Sequence, residues 1–564
     1  MLFDDVVIQL GQFGKYQRIQ YFLLCIPGIL CAYHQLASVF LAAVPEFSSH
    51  TFNNQNSMFT LFSHRCQLPD GVYNETDTYQ IQNSYHESLI NKWVPIDSEN
   101  ANNRSYKTCK LNNSTACDGY VYSQELLINS ITTDFDLVCE NEIKTTISTS
   151  VYMAGVLAGA FFFGILSDWI GRKKTMLIAL LLQGVTGLAS GLVPKNYYVF
   201  IVLRFFTGAG SMGLFMTNFV LGMELIGPKY RLVAGIVIQY FFALGYVLVT
   251  GFAYATKQWQ YLEIAMSAPS FLFLTYYWFV PESARWLLAK GRTAEANEIV
   301  QKAAKVNNVT LPENVFDNLK SESHKEKISA ILRSPRLVTR SLVIFFNWAV
   351  IAMSYYGLSL NSGSLGGNLY INFMLGGLVE FPAYTACFLC NLLGRKPLHL
   401  TGMMIGGLAC LGTVFFDLYA RKVLTEAQLG VAFISLNMIG KFGMTIAFCI
   451  IYLWSAELFP TSIRNTLMGF SSTLARIGSI AAPFIGDLGK YVEKKYEKVL
   501  PAAIFGSLVL IGGFGSIILP ETAGHSLPET IEESENFPHH ARTKYGDKLS
   551  DPDYDQKKEI DTEM

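Results

Sequence analysis

Apolar residues along this chain gather into long runs instead of alternating with polar ones. Twelve runs are legible, at roughly 20–44, 146–167, 175–193, 198–222, 232–255, 260–280, 338–360, 369–393, 397–418, 428–452, 465–489 and 498–519. Each is about 20 residues long, the length of helix that crosses a bilayer core. Lipid leaves only helices or closed barrels as spanning structures, because it offers the backbone no hydrogen-bond partners. Runs of this length and number have no soluble counterpart. The predicted fold is therefore an all-α membrane protein with twelve transmembrane helices. The opening "MLFDDVVIQLGQFGKYQ" is acidic and amphipathic, unlike a cleavable leader, so the first span is expected to act as its own insertion signal.

The polar stretches between runs divide the chain further. Residues 45–145 form a polar loop after the first span, with sequons at Asn74, Asn103, Asn112 and Asn113 and cysteines at Cys66, Cys109, Cys117 and Cys139. Clustered sequons and an even cysteine count predict a glycosylated, disulfide-bonded ectodomain in an oxidising compartment. Four cysteines allow three pairings, and spacing does not choose among them. Residues 284–337 are a second polar insert, helix-prone in "TAEANEIVQKAAK", and residues 523–564 are a charged tail expected to be disordered. With the first loop outside, an even number of spans puts both termini in the cytoplasm. Arg172, Lys173, Lys174, Lys229, Arg231, Arg395, Lys396 and Arg464 then fall in short inner loops, as positive-inside topology requires. Lys490, Lys494, Lys495 and Lys498 fall outside, diluted by Glu493 and Glu497.

Composition narrows the function classes. Only 15% of residues are charged and the formal net charge is −1, which implies no nucleic-acid partner. There is no phosphate-binding glycine loop, zinc signature or nucleophile elbow, so neither an enzyme nor a cofactor is expected. Cys387 and Cys390 have CxxC spacing inside an apolar run with no partner pair, and with Cys25, Cys31, Cys410 and Cys449 they are expected to pack rather than bind metal.

Three short motifs occur twice, in the same order. "SDWIGRKK" is matched by "CNLLGRKP", "ELIGPKYR" by "ELFPTSIR", and "VPESARW" by "LPETAGH". The chain thus reads as two six-helix halves, 1–283 and 338–522, joined by the 284–337 insert. Two repeated helical halves with a site between them are a transporter architecture. Gly171 and Gly394 allow tight turns between spans. Asp168, Arg172, Glu224 and Arg231, with Arg395, Glu457 and Arg464 in the second half, form a candidate latch whose ion pairs hold helix ends in one conformation and break in another. Alternatively these loop charges only set topology. Asn391 stands where the first half has Asp168, so a second latch would be weaker or use Glu457.

Four ionisable residues fall near the middle of spans: His34, Glu380, Lys441 and Arg476. Intramembrane charges face a water-filled cavity or pair with one another, since one at the bilayer centre costs roughly 3 kcal/mol or more. Glu380 with nearby aromatic rings offers an ammonium site, and Arg476 offers a two-pronged site for a carboxylate. Equally, Glu380 can neutralise Lys441 or Arg476 as a structural ion pair. On the ligand reading, Glu380→Gln impairs uptake without loss of surface protein.

These motifs resemble a known family. "GILSDWIGRKK" and "RFFTGAG", with Arg204, Gly208 and Gly210, resemble motifs of the major facilitator superfamily. "PESARWLL", "LVEFPAY", "ELFPTSIRN", "LPETIEE", the opening "LGQFGKYQR" and the large first loop resemble the organic cation and carnitine transporters within it, insect-type members above all. The resemblance covers residues 1 to about 535. It implies a polyspecific carrier of small organic cations or zwitterions working by alternating access, here expected at the plasma membrane, and a facilitated carrier of a cation is expected to be driven by the membrane potential. A sodium-coupled carnitine-type carrier, an organic anion carrier and a non-transporting sensor on a carrier scaffold are the alternatives. Carried over by position, the implied substrate site comprises Phe215, Gln239, Phe242, Trp348, Tyr355, Glu380, Phe448, Cys449 and Arg476. Arg476 departs from cation-selective members, which carry an acid near this place, and matches carnitine and anion carriers.

Overall fold

The computed structural model describes residues 3–44, 64–66, 120–122, 127–192, 196–312, 315–316, 334–460, 463–493, 496–524, 528 and 531–535. Among the described residues, ten helices are long and apolar enough to cross a membrane: Lys15–Leu41, Cys139–Ile170, Arg172–Leu192, Tyr197–Leu225, Pro228–Thr256, Pro335–Gly363, Leu369–Leu393, Arg395–Leu418, Ala427–Leu458 and Val499–Ile518. The sixth and eleventh predicted spans are helical too. The sixth runs over Trp259–Phe273 and Tyr276–Phe279, with Pro269 inside it. The eleventh is Arg464–Asp487, its hydropathy diluted by Arg476 and by Ser471, Ser472, Thr473 and Ser479.

The eighth span, Leu369–Leu393, stays helical but loosens beside the site. It runs as Leu369–Leu378, then Glu380–Cys387, then Cys390–Leu393. Pro382 has no N–H to return to Leu378, which weakens the helical ladder just before Glu380.

Spans approach closely where side chains vanish. A Cβ on Gly208 of the fourth span would collide with the Tyr152 carbonyl oxygen of the second. Small residues at such crossings let two membrane helices pack backbone to backbone. Exposed Trp169, Tyr277 and Trp278 gather at one end of the bundle, as in an interfacial aromatic belt.

The amino-terminal helix Phe3–Gln9 lies at that same end. Its exit turn is clasped by Asn307, which closes the insert helix Thr293–Asn307. The Asn307 side chain accepts from the Tyr16 N–H at 2.8 Å and donates to the Leu10 carbonyl at 2.9 Å. Val6, Leu10, Trp286, Leu287 and Val300 bury a small apolar core between helix and insert. One stretch of the tail expected to be disordered is structured. Ile531–Glu535 is a helix, the Arg340 guanidinium donates to the Ser534 carbonyl at 2.6 Å, and the Ser534 hydroxyl donates to the Leu458 carbonyl. Cys139 is disulfide-bonded. Cys66 falls in a short strand, His64–Cys66, paired antiparallel with Tyr120–Tyr122. Cys109, Cys117 and all four sequon asparagines lie outside the described residues.

Contacts between the two sets of six spans gather mainly toward the end opposite the amino-terminal helix. Phe40 of the first span stacks on Tyr370 of the eighth at 5.5 Å, and Tyr246 of the fifth meets Phe373 at 4.4 Å. Thr146 donates to Asp487, Lys490 pairs with Glu142 at 3.0 Å and with Asp487 at 2.8 Å, and Ser150 donates to the Ile480 carbonyl. Burial pulls the Lys490 ammonium down, but Asp487 and Glu142 outweigh it and hold its pKa above the usual lysine value. These half-exposed pairs stabilise by at most about 1 kcal/mol. Lys490→Glu places three acids together and is expected to open this end. A cysteine placed at Thr146 should then react several-fold faster with an impermeant maleimide added on that side, and an unchanged rate would deny the clasp a role.

Candidate functional site: a cavity between the two halves

A cavity lies where the halves face each other. Its walls are Gln35 from the first span, Met212 and Phe215 from the fourth, Gln239 and Phe242 from the fifth, Tyr355 and Tyr356 from the seventh, Tyr384 from the eighth, Phe448 and Tyr452 from the tenth, and Arg476 from the eleventh. Six of the nine expected substrate residues are therefore on the wall: Phe215, Gln239, Phe242, Tyr355, Phe448 and Arg476. Helical spacing was a signal for three of the other five: Tyr384 is four residues beyond Glu380, Tyr452 four beyond Phe448, and Met212 three before Phe215, while Gln35 and Tyr356 carry no such signal.

Three expected residues stand behind the wall. Trp348 is buried, donates to the Ser455 hydroxyl at 2.9 Å, and packs its ring on Tyr452 at 4.2 Å. Cys449 is half-buried beside Phe448 and is not among the lining residues. Glu380 is fully buried. Its carboxylate meets the Lys441 ammonium at 2.9 Å and accepts from the Tyr355 hydroxyl at 2.5 Å and the Tyr384 hydroxyl at 3.3 Å. Lys441 also donates to the Ser359 hydroxyl and lies over the Tyr355 ring at 3.6 Å and the Tyr246 ring at 4.8 Å. Of the two partners the sequence offered Glu380, the structure chooses Lys441.

Arg476 is consequently the cationic group of the wall, with no acid paired to it among the described residues. It is 8% exposed. Its terminal nitrogen faces the Met212 sulfur at 3.4 Å, a weak acceptor, and its Nε has no partner among the described residues. Gln35 bonds Tyr356 across the cavity from one half to the other.

A second buried charge cluster lies in the first half, away from this wall. Arg204 donates to Glu263 at 2.8 Å and to the His34 carbonyl at 3.2 Å, and covers the Tyr152 ring at 4.4 Å. His34 Nδ1 faces the other Glu263 oxygen at 3.5 Å. His34 thus packs within an ionic cluster. Glu263, an acid in an apolar run like Glu380, went unread in the sequence.

The candidate latch residues share the end that carries the amino-terminal helix, with two changes of partner. Arg172 bridges Asp168 at 3.0 Å and Glu224 at 3.4 Å. Arg395 grips Glu457 with two bonds of 3.0 Å, so the second half uses Glu457 and makes the better pair. Arg231 does not meet Glu224. It pairs with Asp4 of the amino-terminal helix at 2.7 Å, because that helix folds back beneath the fifth span. Arg464 donates to the Phe459 carbonyl at 3.1 Å, closing its own turn. Each of these pairs joins groups within one half. Two acids missing from the expected set complete the arrangement. Glu282 accepts from the Arg172 and Lys173 N–H groups at 2.9 and 3.1 Å, and Glu521 from those of Arg395 and Lys396 at 2.9 Å. These carboxylates cap the third and ninth spans, whose preceding glycines, Gly171 and Gly394, have φ of +105° and +95°. The repeated "PES" and "PET" was the signal for them. Glu521→Ala is expected to lower stability by about 1 kcal/mol, read as a reduced Tm of the purified chain.

The arrangement has relatives. A family model described as sugar (and other) transporter matches residues 78–533. The organic cation transporter protein of Drosophila melanogaster is 38% identical over 551 residues, covering 95% of each chain. This chain belongs to the organic cation and carnitine transporter family of the major facilitator superfamily. The human organic cation/carnitine transporter 2 is 33% identical over 94% of this chain and 93% of its own. Among solved structures, the proton:xylose symporter XylE bound to a bromo-deoxyglucose covers 91% of this chain and 98% of its own, with a TM-score of 0.59 at 15% identity, a likeness of fold. The partially occluded, inward-open form of XylE from E. coli gives a TM-score of 0.57, covering 91% of this chain and 100% of its own. As a member of this family the chain is a multi-pass membrane transporter and not an enzyme, and its twelve helices in two halves are the superfamily fold.

Proposed function

We propose that the chain carries a small zwitterion, an ammonium or quaternary amine bearing a carboxylate, across the plasma membrane by alternating access, with both termini in the cytoplasm. The observation that carries this reading is the charge of the cavity. Glu380 is neutralised by Lys441, while Arg476 on the wall bonds, among the described residues, only a thioether. A carboxylate can take both guanidinium nitrogens as a charge-assisted pair. Phe215, Phe242, Tyr355 and Phe448 supply ring faces for the cationic end, each worth about 1–2 kcal/mol once desolvated. A simple cation gains the rings but meets Arg476 as a like charge. The names of the relatives, an organic cation transporter and an organic cation/carnitine transporter, support the substrate class.

The nine substrate positions fall into two roles on this reading. The six wall residues touch the solute, while Glu380, Trp348 and Cys449 support Tyr355, Tyr384 and Phe448 from behind. The pairs at Arg172 and Arg395 hold each half rigid as it rocks, and the Glu142–Lys490–Asp487 cluster holds the extracellular side shut. The cavity is then reached from the cytoplasm.

An organic anion is the second reading, favoured by the same Arg476, which has no acid beside it among the described residues. Competition separates them. Excess unlabelled carnitine should displace labelled carnitine from cells expressing the chain, while tetraethylammonium and benzoate, each carrying one half of the charge pattern, should displace it weakly. Strong displacement by benzoate alone transfers the assignment to anions.

A further inference from the structure

The Glu380–Lys441 pair bears on what powers the carrier. Glu380 stands one phenol behind the cavity, since Tyr355 and Tyr384 both line the wall and both donate to it. A buried carboxylate beside a solute cavity, with the Ser359 hydroxyl close by, is the kind of hard-oxygen site that takes a small inorganic cation. Here Lys441 fills it. Its ammonium touches Glu380 and Ser359, is roofed by the rings of Tyr355 and Tyr246, and is 1% exposed.

We propose that Lys441 is a tethered cation standing where a coupling sodium ion would otherwise bind, so that this chain needs no sodium at this site, and that shortening Lys441 opens the site to sodium. The reason is covalent. A sodium ion brings gradient energy because it enters on one side and leaves on the other. An ammonium on the tenth span does neither, so it supplies the charge that Glu380 requires and contributes nothing to uphill transport. The roof ties the pair to both halves, because Tyr246 belongs to the fifth span and Tyr355 to the seventh. The inference rests on the chain being a transporter and not on which solute it carries.

The test needs no solute. The full-length chain is purified in detergent, and its Tm is followed while N-methyl-D-glucamine chloride is replaced by sodium chloride at constant ionic strength. The wild type should show no saturable sodium shift. Lys441→Ala should gain one of about 2 °C or more at saturating sodium. Lys441→Arg, which keeps the charge, and the double variant Lys441→Met with Glu380→Gln, which removes both charges, should stay flat. A saturable sodium shift in the wild type, or a folded Lys441→Ala variant as flat as the double variant, overturns the proposal. If Lys441→Ala is not recovered folded in N-methyl-D-glucamine, recovery in sodium supports the proposal, and equal failure in both media overturns it.

Discussion

Arg476→Gln should raise the half-saturating concentration for carnitine at least tenfold while leaving the protein folded at the cell surface. The fold should tolerate the change, because Arg476 holds no ion pair among the described residues whose removal would strand a buried partner. What is lost is a charge-assisted contact to the carboxylate, worth about 1.5–3 kcal/mol, which is roughly a 10- to 150-fold loss of affinity. Arg476→Lys should recover part of it, since an ammonium keeps the charge without the two-pronged geometry. Tetraethylammonium should respond in the opposite sense and bind the Gln variant better, because the like charge is gone. Uptake across a concentration series with surface biotinylation checks all three.

Glu380→Gln should act by a different route. The side chain faces Lys441 rather than the cavity, so neutralising it leaves a buried ammonium without its counter-ion. Breaking a buried pair by removing one partner costs about 3–5 kcal/mol. The expected result is loss of mature protein from the surface and a lowered Tm, with Tyr355 and Tyr384 each losing a charged acceptor. This reverses the expectation drawn from sequence, where Glu380 as a ligand implied impaired uptake with surface protein intact. Pairing Glu380→Gln with Lys441→Met should recover much of the lost stability, since no charge is then stranded. A Gln variant with normal abundance and Tm would return Glu380 to the cavity as a ligand.

Both expectations turn on pairings that one dimension conceals. The twelve passes are legible because lipid demands long apolar runs, and even the two less apolar ones read as spans. They are weaker for local reasons, Pro269 in one and Arg476 with its serines in the other. The repeated motifs mark the end where Arg172 and Arg395 bind their acids, and they point to Glu457 as the substitute for Asn391's missing charge. Arg231 is placed in the wrong company by sequence because Asp4 lies 227 residues away, on a helix whose return beneath the bundle leaves no periodic trace. Glu380 illustrates the same limit at the site. An acid in an apolar run announces that it is paired, but whether with Lys441, Arg476 or solute depends on how the seventh, eighth and tenth spans rotate against one another. Glu263 makes the same announcement, and the motif that singles out Arg204 gives no hint that the two residues meet.

The most direct measurement of the central claim compares uptake of labelled carnitine and labelled tetraethylammonium in cells expressing the full chain, at normal and at collapsed membrane potential. Moving one charge through 100 mV is worth about 2.3 kcal/mol, so a simple cation depends steeply on potential and a zwitterion does not. The account predicts carnitine uptake that survives collapse of the potential, with tetraethylammonium entering poorly under both conditions. Brisk tetraethylammonium uptake that falls with the potential, and no carnitine uptake, would contradict it.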